Sequence, residues 1–336
     1  MSRGRVETAR FGTVLAALLS ALAGAVVLST ATGPVSIPFG GFVDAFLRGG
    51  DGTPARILLS LRLPRALLGV LVGGALASSG VAFQALLRNP LADPYILGVS
   101  GGAAVGALTV ALFLSADASP VLPLCAFLGA AAAALSVFLL ARRRSGVSPE
   151  RLILMGVVVG AFLNAVIMLM VTLSPPGKIP GALYWLMGDL SLGTPRRVAV
   201  LLPYVTAGSA VLFLLSRGLD LLLLGDSEAF QAGLSVERVK TATYLTASLL
   251  AGSVVAVSGL IGFVGLIVPH GARALVGSGH RRLLPAAFLL GAAFLVVSDL
   301  IARTASPSGE LPVGAVTALA GAPFFLYLLR RNGGRS

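Results

Sequence analysis

The sequence predicts an all-α membrane protein of ten transmembrane helices, forming one membrane domain over residues 1–336. Composition is the first observation: 56% of residues are hydrophobic, 11% are charged and mean hydropathy is +0.95. A soluble globular chain carries about 25% charged residues. Second, apolar runs of roughly twenty residues recur along the chain, the length a helix needs to cross a bilayer core. Third, basic residues gather in alternate connections between those runs, as they do where cytoplasmic loops retain arginine.

The first span, about 11–31, follows Arg3, Arg5 and Arg10. It exceeds the apolar core of a secretion signal, so it is read as a retained span. Residues 38–52 are amphipathic, too short to cross, and expected at the surface. The spans at 65–86 and 95–115 form a helical hairpin whose turn carries Arg88, Asn89, Pro90, Asp93 and Pro94. Further spans are predicted at 120–141, 152–174, 196–216, 241–259, 261–277, 283–302 and 311–329. Gly262, Pro269 and His270 interrupt the stretch 241–277. With the N-terminus inside, 17 of the 25 lysines and arginines fall in cytoplasmic segments and eight outside. Both tails are therefore expected in the cytoplasm.

A shift of 179 residues aligns Gly73 with Gly252, Ser79-Gly80 with Ser258-Gly259, and Pro90 with Pro269. Five spans separate the copies, so the second would lie inverted, a transporter signature. Small-xxx-small pairs such as Gly98/Gly102, Gly102/Gly106 and Gly156/Gly160 allow close helix packing. In a chain with 42 glycines they specify nothing further.

Several chemistries are excluded. The net charge of +12 follows from arginine in cytoplasmic loops rather than from nucleic-acid binding. Cys125 is the one cysteine, so there is neither a disulfide framework nor a cysteine metal site. The two lysines, Lys178 and Lys240, stand in P-P-G-K-I and R-V-K-T, so no phosphate-binding loop is present. Near apolar runs the only acids are Asp189 and Asp299, each close to an outer end. An ion-coupled secondary transporter, the first alternative function, would place a carboxylate at mid-membrane. Asp299 is expected to pair with Arg303, four residues on. Gly98-Val99-Ser100-Gly101 fits the pattern of intramembrane serine proteases, the second alternative. A serine nucleophile needs a base, and only His270 is embedded, while His280 is read as a loop residue. Ser100 is therefore read as part of a hinge.

Two polar regions remain. Arg48, Arg56, Arg62 and Arg65 cluster before the second span, and Arg303 follows the ninth. They serve either as snorkelling interfacial residues or as a docking face for an acidic partner. The cytoplasmic loop 217–240 holds four of the thirteen acids: Asp220, Asp226, Glu228 and Glu237. Asp226 is expected to cap a short helix that Gly233 ends, and Ser235 to cap a second. Two short surface helices suit a lever gripped by another protein.

Seven stretches together resemble the permease subunits of iron-siderophore, haem and vitamin B12 ABC importers, the FecCD-like family. They are L-R-L-P-R (61–65), Q-A-L-L-R-N-P-L-A-D-P (84–94), L-G-V-S-G-G-A-A-V-G (97–106), Y-W-L-M-G-D-L-S-L (184–192), 225–234, G-L-I-G-F-V-G-L-I-V-P-H (259–270) and E-L-P-V-G-A-V-T-A-L-A-G-A-P (310–323). The resemblance covers nearly the whole chain. It implies a type II ABC importer permease fold, working in the inner membrane as a homodimer with its pathway at the dimer interface. Two cytoplasmic ATPase subunits would use ATP and Mg²⁺, and a periplasmic substrate-binding protein would deliver the cargo. The chain itself is expected to be no enzyme and to bind no cofactor or metal. The cargo implied is a metal chelate, with a ferric siderophore first and cobalamin or haem next. Asp189 departs from the family pattern and leaves that choice open.

Residue by residue, the resemblance assigns binding-protein docking to Arg62, Arg65 and Arg303. It assigns ATPase coupling to Asp226, Ser227, Glu228, Ala229, Phe230, Gln231, Ala232, Gly233 and Leu234. It assigns the cytoplasmic gate to Ser148, Pro149 and Glu150.

Overall fold

The computed structural model describes residues 2–33, 52–114, 121–143, 146–306 and 309–332. Residues 38–51 of the expected surface stretch, with Arg48, and also Arg144 and Arg335, lie outside the described residues. Within them the fold is helical, with one isolated bridge between Arg143 and Gly146. The helices are α1 (Ser2–Ala31), α2 (Leu63–Leu86), α3 (Val99–Phe113), α4 (Leu122–Ala141), α5 (Pro149–Thr172), α6 (Ile179–Leu186) and α7 (Pro195–Leu214). They continue as α8 (Ser216–Leu222), α9 (Asp226–Gln231), α10 (Val236–Ser258), α11 (Val264–Val276), α12 (His280–Thr304) and α13 (Val313–Asn332).

Each predicted span finds a helix. Among the described residues seven helical stretches are long and apolar enough to cross a membrane, while Val99–Phe113 and Val264–Val276 are shorter. These two were predicted longer, and each is cut back for a local reason. The third span starts late because Pro94–Leu97 forms a 3-10 turn and Gly98 adopts φ +79°. The eighth is trimmed by breaks at Gly259 (φ +68°) and Phe263 (φ +69°). The second grows the other way, reaching back through a π turn at Ile57–Arg62 to Thr53. Helix α6 was not foreseen.

Helix α2 is the hub, buried along nearly its whole length against α10, α11 and α12. It approaches α12 so closely that a Cβ on Gly73 would lie 2.2 Å from the Gly291 carbonyl oxygen. Gly102 on α3 meets the Gly129 carbonyl on α4 in the same way. Without an aqueous hydrophobic effect between helices, such backbone contact is what holds spans together. By contrast α5 turns Leu154, Phe162, Met168 and Leu169 outward, an apolar exterior suited to hydrocarbon.

The 179-residue register pairs unlike local structure. Ser79-Gly80 lies inside α2, whereas Ser258-Gly259 ends α10; Pro90 lies in a turn, whereas Pro269 is inside α11. The two segments meet as packing partners instead: a Cβ on Gly80 would lie 2.0 Å from the Gly265 carbonyl oxygen.

Candidate functional site

Polar side chains collect in two clusters at opposite ends of the bundle. At the end predicted to face outward, α1 stops, α2 starts and α12 finishes. A helix C-terminus leaves its last carbonyls without intrahelical donors. Arg62 Nη1 donates to Thr30 O at 3.2 Å and Ala31 O at 3.0 Å. Arg303 Nη1 donates to Thr32 O at 2.9 Å, and its Nη2 to Ser29 Oγ at 2.9 Å and to Ser29 O. Their positive charge also complements the negative end of the α1 dipole. Both side chains are consumed in this closure, leaving Arg62 6% and Arg303 9% exposed.

Arg65 presents the edge of its guanidinium to Asp299, with Nε 2.9 Å from Oδ2 and Nη2 2.8 Å from Oδ1. Its Nη1 donates to Glu310 Oε2 at 2.8 Å. This planar fork suits a carboxylate on two atoms. Arg303, the expected helical-spacing partner of Asp299, is only loosely placed, with Nε 3.7 Å from Oδ2. That expectation is corrected: Asp299 pairs chiefly with Arg65, because the carbonyls ending α1 occupy Arg303. The three arginines assigned to docking are thus brought together at one end, yet Arg62 and Arg303 face inward.

Asp189 closes a turn beside this end. Its carboxylate accepts from Ser191 N–H and Ser191 Oγ–H, each at 2.6 Å, and its own N–H donates to Ser258 O at 2.7 Å. With Tyr184, Trp185 and Arg197 it lines a cavity of about 220 Å³.

At the opposite end, Gly225 (φ +127°) precedes α9 and stands at its N-cap, without a side-chain cap. Asp226 was expected to fill that role. Instead its carboxylate meets Lys240 Nζ at 2.5 Å and Arg88 Nη2, charge-assisted bonds that outcompete a neutral backbone donor. Burial alone would raise its pKa, but hydrogen bonds and charge from Lys240 and then Arg88 hold the carboxyl below the ordinary carboxylate range. Gly233 (φ +82°) does end α9: Leu234 N–H donates to Ala229 O at 3.0 Å and Gly233 N–H to Phe230 O at 2.9 Å. Ser235 makes no side-chain cap, and the expected second short helix is the base of the 23-residue α10. Phe230 stands 73% exposed, beside exposed Ser227, Glu228 and Gln231, while Leu234 is half-buried.

Ser148 is the N-cap of α5 without a side-chain bond, Pro149 is its buried first residue, and Glu150 is exposed. The residue before them, Val147, donates its N–H to Glu237 Oε2 at 3.0 Å and accepts from Lys240 Nζ at 2.9 Å. His280, read as a loop residue, instead opens α12 and is buried. Its Nδ1 lies 2.6 Å from Asp220 Oδ1, which also accepts its backbone N–H at 3.0 Å. Sequence reasoning passed over Arg88 and Lys240 as functional. The signal for Lys240 was a charge on the buried stripe of α10, in line with Thr243, Tyr244 and Ala247.

Ser100 and His270 share no hydrogen bond and sit on different packing groups, α3 with α4 and α5, α11 with α2 and α12. The hinge reading of Ser100 agrees with that separation.

The chain is 42% identical over 334 residues to an uncharacterised ABC transporter permease protein, YvrB of Bacillus subtilis, covering 94% of each. It is 46% identical over 274 residues to the cobalamin import system permease protein BtuC of Halobacterium salinarum, covering 82% of this chain and 73% of that one. In structure it superposes with a TM-score of 0.85 on a protein described as a metal-chelate type ABC transporter in an inward-facing conformation. That match has 31% identity and covers 95% of this chain and 99% of the other. The model of the FecCD transport family matches residues 18–331, and the chain belongs to that family.

Proposed function

We propose that two copies of this chain form the pathway of an ABC importer for a metal chelate, set in the inner membrane with both termini cytoplasmic. A ferric siderophore is the first candidate cargo, cobalamin and haem the next. Two ATPase subunits bind ATP and Mg²⁺ below the membrane, and a periplasmic substrate-binding protein docks above. The chain is a conduit and carries no catalytic residue of its own. Alternating access comes from helices rocking about glycine and proline breaks.

One observation carries the reading beyond family membership: α9 is a short helix held at its root by Asp226 while Phe230 projects 73% exposed. A projecting aromatic on a pinned helix suits a socket in a partner, since buried aromatics anchor interfaces. In this reading Asp226 to Leu234 couples to the ATPase, and Ser148, Pro149 and Glu150 form the gate that opens α5. Arg62, Arg65 and Arg303 shape the outer rim on which the binding protein sits.

The test is reconstitution with the ATPases and the binding protein in liposomes. ATP-dependent uptake of a ferric siderophore, cobalamin or haem is expected, and titrating the cognate binding protein with each chelate identifies the cargo. Uptake that persists without ATP and collapses with an ion gradient would overturn the proposal.

A further inference from the structure

Lys240 is 3% exposed, on the second turn of α10. Its ammonium has three N–H donors and no acceptor. Around Nζ stand three acceptors from three elements: Asp226 Oδ2 of α9 at 2.5 Å, Val147 O ahead of α5 at 2.9 Å, and Glu237 Oε1 of α10 at 3.6 Å. Glu237 returns a second tie to the same residue by accepting the Val147 N–H at 3.0 Å. Both backbone groups of Val147 are therefore bound to one turn of α10. Gly146 just before it takes φ +102°, and a Cβ there would lie 2.4 Å from the Glu237 carboxylate.

On the other side, Asp226 is held by Arg88, whose Nε also donates to Leu222 O at 2.7 Å. One unbroken polar line thus runs from the end of α8 through Arg88, Asp226 and Lys240 to the residue that leads into α5. A buried ammonium is costly to desolvate, and a methionine fills a similar volume without that cost. Packing alone does not call for lysine here.

We infer that Lys240 is a positioning residue that makes α9 and the start of α5 move as one body, so that a displacement of α9 reaches Ser148, Pro149 and Glu150. This rests on the reading of α9 as the ATPase-coupling helix and of 148–150 as the gate. It adds the physical link between them, through a side chain that touches neither ATPase nor cargo.

The full importer in liposomes tests it. Lys240→Met should keep ATP hydrolysis within about twofold while uptake per ATP hydrolysed falls about tenfold, the scale set by one lost charge-assisted hydrogen bond. Glu237→Gln, at a more exposed position, should give a smaller loss in the same ratio, and Lys240→Arg should restore part of it. Spin labels at Phe230 and Glu150 should hold one separation through the nucleotide cycle in the parent and two in Lys240→Met. A merely structural role would instead lower hydrolysis, uptake and thermal midpoint together and leave the ratio and the separation unchanged. That result, or an unaltered ratio in both variants, would overturn the link. Cross-linking from Phe230→Cys to the ATPase separates the two layers. Absence of a cross-link sinks the coupling reading itself, whereas a cross-link with an unaltered ratio sinks only the role of Lys240.

Discussion

At the end predicted to face outward Arg62 and Arg303 reach across to α1 and vanish into its last turn, whereas at the inner end, predicted to face the cytoplasm, Arg88 and Asp226 meet at the surface. The side chain of Asp299 is 2% exposed and that of Asp226 46%. Both ends use arginine and aspartate, but the outer contacts are two-atom forks and caps, and the inner ones are a relay of single bonds. Buried, multiply bonded charge behaves as a weld, because separating the partners leaves an uncompensated charge out of water. The half-exposed Arg88–Asp226 bond behaves as a joint, because water replaces whichever partner leaves, while Lys240, 3% exposed, ties α9 to the start of α5. A transporter needs one end that keeps its shape and one that passes on movement.

The contrast is broken most directly at Asp299. Asp299→Ala should destabilise the protein by about 3 kcal/mol, since Arg65, 12% exposed, loses its two-atom partner and keeps only the half-exposed Glu310. Asp226→Ala should cost less, about 1 kcal/mol, because Lys240, itself 3% exposed, keeps Val147 O and Glu237 as partners. Unfolding of the purified protein in detergent measures both, and equal losses would erase the distinction. Next, Arg303→Met removes the donors for Thr32 O and Ser29 O, about 2 kcal/mol. Amide exchange at the end of α1 should quicken in that variant and not in Asp226→Ala.

A gentler substitution sharpens the outer end's proposed role. Reversing the charge of Arg65 would wreck its pairs before reporting on docking. Glu310→Ala instead releases one arm of Arg65 from a half-exposed acid. If that arm meets a carboxylate of the binding protein, affinity should rise about threefold and depend more steeply on salt. Unchanged or weaker binding counts against Arg65 as a docking residue.

The smallest effect is a pH difference within the inner end. Burial pushes Asp93 up to about 6, against the opposing N–H bond from Tyr95, while Asp226 is held below the ordinary range. A raised carboxyl binds its proton more tightly in the folded state, so Asp93 contributes stability that grows as pH falls from above 6 toward 4. Asp226 does the reverse: its contribution is intact above the usual carboxylate range and is lost as pH falls through that range and below it. Asp93→Asn keeps the acceptor for Tyr95 N–H and should flatten the gain between pH 7 and 5. Equal pH profiles for parent and variant would exclude Asp93 as its source.

Ten spans, their approximate ends and the family motifs were legible in the sequence because bilayer thickness imposes a length and glycine marks backbone breaks. Gly233 ended its helix as expected, since few other residues adopt φ +82° without strain. Caps were less legible. Asp226 fits the pattern of an N-cap, but only the fold put Arg88 and Lys240 within its reach.

The sequence by itself determined which segments enter lipid and which carry charge, because these follow from composition along one dimension, and its motifs carried the resemblance to the family. Tertiary structure alone decided whom each charge serves. Arginine and lysine are long enough to choose among several partners, so Asp299 takes the two-atom fork of Arg65 and keeps only a looser contact with its near neighbour Arg303. Lys240, inconspicuous in the chain, became the meeting point of three elements because helix packing placed their ends around one buried ammonium.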